Sequence, residues 1–284
     1  MKKINIKFIA VLIALFFAAT LNSCKKDEAQ PDPNPNPNPT PNFQSEADNA
    51  ELDRENSNIF SYVSSNGDTS SEIRNSDSPL SACALISVSP LTGWPRTLTI
   101  DFGPVSQNGC GDGRFRRGKI FAKFKNPWIS HMPGDSVTVW TQDYYVNNIK
   151  HEGTRYIIIE DSITIRVVAV NVQATWPDNS TATWNCNRTR RFISGWSTPY
   201  VYLDDVYEHA GAANGVNRLG VSYTLETRAG FPLIQKMNCN WLVSGILDFT
   251  PQNQTTRTLN YGNGICDALA VVTINNVDYN IILP

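Results

Sequence analysis

From residue 83 onward the chain reads in steps of two, and short polar turns punctuate that reading. β-Branched and aromatic residues dominate stretches at 84–89, 97–102, 117–124, 136–145 and 154–160. They do so again at 163–169, 182–187, 190–197, 220–227, 242–250, 255–261, 268–274 and 278–283. Pro133-Gly134-Asp135, Glu152-Gly153, Asn214-Gly215 and Asn263-Gly264 supply turn signals between them. Val146-Asn147-Asn148-Ile149 and Asn275-Asn276 add two hairpin turns, because asparagine tolerates positive φ. Strands joined by so few residues must run antiparallel, since a parallel pair needs a crossover of about a dozen residues or more. No βαβ alternation, Walker loop or Rossmann glycine pattern is present. The expected fold is all-β, an antiparallel sandwich or a curled sheet over residues 81–284.

One departure precedes it. Residues 45–63 place Leu52, Ile59, Phe60 and Val63 on one side of a helix, with Glu46, Asp48, Glu51 and Asp53 toward its N-terminal end. The pattern predicts one amphipathic helix lying against the β-domain. A polar, Ser- and Asp-rich loop over 64–79 follows, so that 44–80 is helix plus loop.

The first 23 residues have the three parts of an export signal. Lys2, Lys3 and Lys7 are the positive region, and 8–19 is an apolar run too short for a comfortable transmembrane span. Leu21-Asn22-Ser23-Cys24 resembles a lipobox, in which cleavage precedes the cysteine and the cysteine is acylated. Each buried methylene contributes about 0.8 kcal/mol, so several chains on Cys24 would make a lipid bilayer a stable partner. Lys25-Lys26-Asp27-Glu28 resembles the short charged signal that sends such lipoproteins to the outer cell surface rather than the periplasmic face of the outer membrane. Proline then alternates strictly from Pro31 to Pro41, which makes 24–43 a semi-rigid polyproline tether. At about 3.1 Å per residue the alternating stretch spans roughly 35 Å.

With Cys24 acylated, Cys83, Cys110, Cys186, Cys239 and Cys266 remain in an oxidising compartment. None forms a CxxC pair and the three histidines are scattered, which argues against a zinc site. Cys83 stands as far from Cys110 as Cys239 does from Cys266. Four cysteines allow three connectivities; local pairing is preferred, each loop adding about 3.5 kcal/mol on the chain-entropy model. Cys186 is left as a buried thiol. The sequence Arg96-Thr97-Leu98-Thr99-Ile100-Asp101-Phe102-Gly103 before Cys110 echoes Arg257-Thr258-Leu259-Asn260-Tyr261-Gly262 before Cys266, which allows two related halves. A net charge of −2 without an extended basic patch excludes nucleic acid as a partner.

Several stretches in order resemble an uncharacterised family of Bacteroidota lipoproteins. They are Thr99-Ile100-Asp101-Phe102-Gly103, Asp112-Gly113-Arg114-Phe115-Arg116-Arg117-Gly118-Lys119-Ile120, Asp143-Tyr144-Tyr145-Val146-Asn147, Glu152-Gly153-Thr154-Arg155 and Tyr261-Gly262-Asn263-Gly264-Ile265-Cys266-Asp267. The resemblance implies an anchored extracytoplasmic protein with one repetitive β-domain, and no activity, cofactor or catalytic residue.

Candidate sites are few. Trp94, Trp128 and Trp176 each adjoin a proline, where a loop would expose an indole to sugar rings; Trp140, Trp184 and Trp241 fall inside strands and read as core. Asp204 and Asp205, with Tyr207 and Glu208 following, gather oxygen at one strand end as a weak cation site, and Asp112 sits in a glycine turn. Glu152, Glu160, Asp204 and Glu226 are available carboxylates, but nothing pairs them as glycoside hydrolysis requires. Asp135-Ser136-Val137 and Asp161-Ser162-Ile163 resemble short O-glycosylation motifs. The expectation is a non-catalytic binding or structural module without cofactor, whose partner is a glycan or another surface protein; the alternative is a glycan-binding or glycan-processing accessory of polysaccharide metabolism.

Overall fold

The computed structural model describes residues 41–67, 83–105, 110, 112–195, 197–198 and 201–284. The export signal, Cys24, nearly all of the tether and most of the polar loop expected after the helix lie outside the described residues.

Among the described residues one α-helix, α1 (Gln44–Asn66), precedes the strands. Asn42 opens it by accepting the Gln44 N–H at 2.7 Å. Gly67 closes it where a Cβ would stand 2.9 Å from both the Phe124 ring and Trp128. The strands are β1 (Leu85–Ser89), β2 (Arg96–Asp101), β3 (Arg116–Phe124), β4 (Ser136–Val146), β5 (Ile149–Ile159), β6 (Thr164–Thr175) and β7 (Thr181–Ser194). They continue with β8 (Val206–Val216), β9 (Ser222–Thr227), β10 (Leu233–Lys236), β11 (Leu242–Pro251), β12 (Arg257–Asn263), β13 (Leu269–Ile274) and β14 (Val277–Ile282).

All fourteen strands belong to one antiparallel sheet, almost entirely in chain order, which is the curled-sheet form of the expected all-β fold rather than a sandwich. The exception is one lane shared end to end. β10 pairs with the first part of β8 (Val206–His209) and β9 with its last part (Ala212–Val216), and β11 lines the other side of both. The ladder runs on without a break from β1 to β14.

Glycine bulges accompany the curl. The register shifts at Gly118, Gly153 and Gly245, each between two residues of one strand facing its neighbour. At Gly153 φ is +116° and a Cβ would lie 2.6 Å from the Val172 Cα. Glu152-Gly153 is therefore a bulge inside β5 and not the turn expected. Asn214-Gly215 is likewise interior to β8; a side chain at Gly215 would meet Thr183 O at 2.2 Å and the Tyr223 hydroxyl at 2.6 Å. Asn147-Asn148 and Asn275-Asn276 are hairpin turns as expected, all four residues at positive φ.

The concave side of the sheet packs around α1. Ile59, Phe60, Tyr62 and Val63 join Leu98, Ile100, Ile120 and Val139 in one core cluster; Leu52 joins Trp184, Leu225, Phe249 and Val272 in a second. Leu52, Ile59, Phe60 and Val63 are thus buried as the pattern predicts. Their polar neighbours Glu46, Asp48, Glu51 and Asp53 are buried too. The helix is not amphipathic with a wet face; it is enclosed on nearly every side.

Candidate binding cleft

Enclosing a charged helix requires a charged sheet lining, because an isolated buried ion costs far more than packing returns. Along β7 the inward register runs Ala182, Trp184, Cys186 and then Arg188 and Arg190, all buried. Arg188 meets Asp53 at 2.6 Å, Arg190 donates to the Ser57 hydroxyl at 3.0 Å, and the Trp184 indole donates to Asn49 at 3.0 Å. Arg257 on β12 pairs with Glu46 at 2.7 Å, and Arg218 in the β8–β9 turn pairs with Asp48 at 2.9 Å. Arg155 on β5 donates to Asn56 at 3.0 Å, and Tyr144 on β4 donates its hydroxyl to Glu55 at 2.7 Å. Partners on β4, β5, β7 and β12 are possible only for a sheet that wraps the helix.

Protonation follows from this packing. Burial pushes the Glu55 carboxyl up, but Arg116, His151 and Arg114 together hold it below the usual range. Glu51 is lowered against burial by Arg54 and Arg114. Burial drives His151 down to about 4 despite Glu55 and Glu51. The imidazole is neutral near pH 7, and its 3.8 Å approach to Glu51 is not an ion pair there.

One stripe of the helix escapes enclosure. Ala47, Ala50, Arg54 and Asn58, spaced three and four apart, are only partly buried. Over its Arg54–Asn58 end lies a cleft of about 380 Å³ with Glu51, Arg54 and Asn58 as floor. Asp112, Arg114, Asn147 and Ile149 form one wall; Asn240, Trp241 and Pro284 form the other. A narrow extension of about 30 Å³ runs on past Asp53, Ser57 and Tyr261, room for about one water.

Both walls are locked from outside. The disulfide Cys83–Cys110 fixes the loop carrying Asp112 and Arg114, and Cys239–Cys266 fixes the loop carrying Asn240 and Trp241. The preferred local pairing is the one found, with a sequence separation of 27 in each and Cα atoms 5.3 and 5.8 Å apart. The Arg114 carbonyl accepts the Cys110 N–H at 3.2 Å, and Asp112 accepts the Arg114 N–H at 3.1 Å and holds both Arg116 terminal nitrogens at 2.9 and 2.7 Å. Arg114 then reaches Glu51 at 2.6 Å and Glu55 at 3.3 Å. Arg54 is shared between Glu51 and the carbonyl oxygen of Pro284, to which the Trp241 indole also donates at 3.4 Å. A shallower bay of about 510 Å³ beside Val105, Phe115 and Arg117 shares Asn147 with the cleft. Its polar groups already satisfy one another: Asn147 accepts the Phe115 N–H, and Arg117 donates to Asn148 and lies 3.7 Å over Tyr145.

The three tryptophans singled out in the sequence do not meet. Trp128 is buried, edge-on to Phe60 and Phe124, so its loop turns inward. Trp94 and Trp176 are half-buried against different core clusters, under Arg96 at 4.7 Å and Arg218 at 4.2 Å respectively. None of the three lines the cleft; Trp241, read as core, does, because β11 begins one residue later. Trp184 is fully buried as expected, whereas Trp140 is half-buried and stacked on Phe121.

Asp204 and Asp205 precede β8, where Thr198 donates to Asp204 at 2.8 Å. Burial, with Asp204 adjacent, pushes Asp205 up to about 7. No cluster of three metal-ligating side chains occurs among the described residues. Glu152 and Glu160 pair with Lys150 and Arg166, and neither lines the cleft. Cys186 is buried and unpaired with any other cysteine, its thiol raised to about 11 by burial.

The fold and site together define an all-β domain of one curled sheet rolled about an ion-paired helix, with a polar cleft over the partly buried stripe. Comparison with protein-family models, with curated proteins and with solved structures finds no match to this chain. No helix among the described residues is long and apolar enough to cross a membrane.

Proposed function

We propose that this chain is an outer-membrane lipoprotein, anchored through acylated Cys24 and facing the cell surface, whose β-domain is a non-catalytic binding module with the cleft over α1 as its site. The observation that carries the binding role is the joint placement of the two disulfides. Each fixes one wall of the same cleft, and a preorganised concave site with a few convergent polar groups is what small-ligand recognition needs. The protonation states favour binding over hydrolysis. Glycoside cleavage needs one protonated and one ionised carboxyl, whereas both cleft carboxyls, Glu51 and Asp112, are held ionised by arginines. Anchoring rests on the Lys2, Lys3 and Lys7 region, the short apolar run and the lipobox-like Leu21-Asn22-Ser23-Cys24.

The test is thermal unfolding of the detergent-extracted full chain. The panel holds neutral oligosaccharides, uronic-acid oligosaccharides, inorganic phosphate, short peptides and medium-chain fatty acids, and Asn58→Trp is tested in parallel to fill the floor of the cleft. At least one compound raises the melting temperature of the native protein and not of the variant. A panel without effect, or an equal effect on both proteins, overturns the binding role.

A further inference from the structure

The chemistry of the cleft selects among ligand classes, and this step rests on the binding role proposed above. Its charged side chains cancel in number, Glu51 and Asp112 against Arg54 and Arg114; both guanidiniums are already engaged by Glu51, and Asp112 is taken by Arg116. An anionic ligand would find no unmatched cation and would have to break Arg114 away from both Glu51 and Glu55. An apolar ligand would strip water from the Asn240 amide, the Asn147 side-chain nitrogen and the Asn58 side-chain oxygen, with no hydrogen bond in exchange. What remains is a neutral ligand rich in hydroxyls with one apolar face. Trp241 meets the apolar face. Its indole is half-buried, packed against the second core cluster and held at its Nε1 by the Pro284 carbonyl, so the ring is fixed in orientation at the wall.

We infer that the cleft binds a neutral saccharide, one ring stacked on Trp241 and its hydroxyls exchanging hydrogen bonds with the Asn240 amide, the Asn147 side-chain nitrogen and the Asn58 side-chain oxygen. The last two amides are engaged at their other ends by the Phe115 N–H and Glu55. The volume of about 380 Å³ lies at the small end of ligand pockets and suits a short segment rather than a long chain. Asn240 is exposed on the disulfide-fixed loop.

Isothermal titration of the full-length lipoprotein tests this with xylohexaose, cellohexaose, mannohexaose and maltohexaose, against trigalacturonic acid and a heparin hexasaccharide. At least one neutral sugar binds and neither acidic one does. Asn240→Ala weakens that binding about tenfold, the loss of roughly one hydrogen bond's worth of recognition. Trp241→Ala weakens it more, while Trp241→Phe retains most of it. Because Trp241→Ala also removes packing, Asn240→Ala is the deciding variant, with unfolding midpoints matched to the native protein. Binding of the acidic sugars alone, or of peptide alone in the thermal panel, overturns the saccharide assignment and leaves the binding role standing. A neutral sugar bound with unchanged affinity by Asn240→Ala also overturns it.

Discussion

At the scale of single residues, stability depends on charges that have no water to retreat to. Asp53 and Arg188 are both buried and 2.6 Å apart. Asp53→Ala strands the guanidinium inside the sheet and is expected to cost about 3–5 kcal/mol, measured by urea unfolding. Acid acts on the same interior. His151 stays neutral in the folded protein down to about 4, while in the unfolded chain it protonates near its ordinary value of 6.5. The unfolded state therefore binds more protons as pH falls through that window, and stability falls with it, by about 3 kcal/mol from His151. His209, driven down by burial, adds loss of the same sign. Glu51 and Glu55, lowered in the fold, contribute stability above their ordinary value of 4.5 and lose it as pH drops further. Glu46, raised by burial, opposes this. Asp205, raised to about 7 by burial, gains stability over the same range, so the His151 contribution is read as a difference. Between about pH 7 and pH 4.5 the urea midpoint of the native protein should fall relative to that of His151→Gln; parallel pH profiles of the two proteins would contradict this account.

At the scale of elements, the strands were legible wherever apolar residues alternate, and unreadable where the inward register carries charge. β7 shows why. Reading 182–187 and 190–197 as separate strands followed the apolar pattern, but stepping by two from Trp184 through Cys186 lands on Arg188 and Arg190, one continuous strand. Arginine in an inward register was the available signal that something acidic lies inside. The acids of α1 were visible too, toward its N-terminal end, but their burial depends on how helix and sheet meet. β8 escaped notice because Ala, Gly and Asn hold its places in 210–215, where small residues admit Tyr223 and neighbouring backbone. The cleft was legible only in fragments: the matched cysteine spacing was plain, but that both loops converge over one helix stripe depends on the curl. The bulge glycines belong to that curl, so Gly153→Ala should cost about 2 kcal/mol or more, read from thermal or urea unfolding.

At the scale of the whole molecule, one helix organises fourteen strands among the described residues, and the disulfides Cys83–Cys110 and Cys239–Cys266 hold the mouth of the resulting groove. Replacing Cys239 and Cys266 together by Ser should lower stability by about 3.5 kcal/mol on the chain-entropy model and weaken ligand capture beyond that, by freeing Asn240 and Trp241. Cys24→Ser should release the protein from the membrane fraction without altering its unfolding curve. Beneath these expectations lies the enclosure of α1. Amide hydrogen exchange of the full chain over 44–66 reports it directly. Protection along α1 that matches β5 to β7 and is lost only in global unfolding is the expected result. Exchange of α1 orders of magnitude faster than those strands would mean a helix resting on the sheet rather than inside it, with no floor for the cleft.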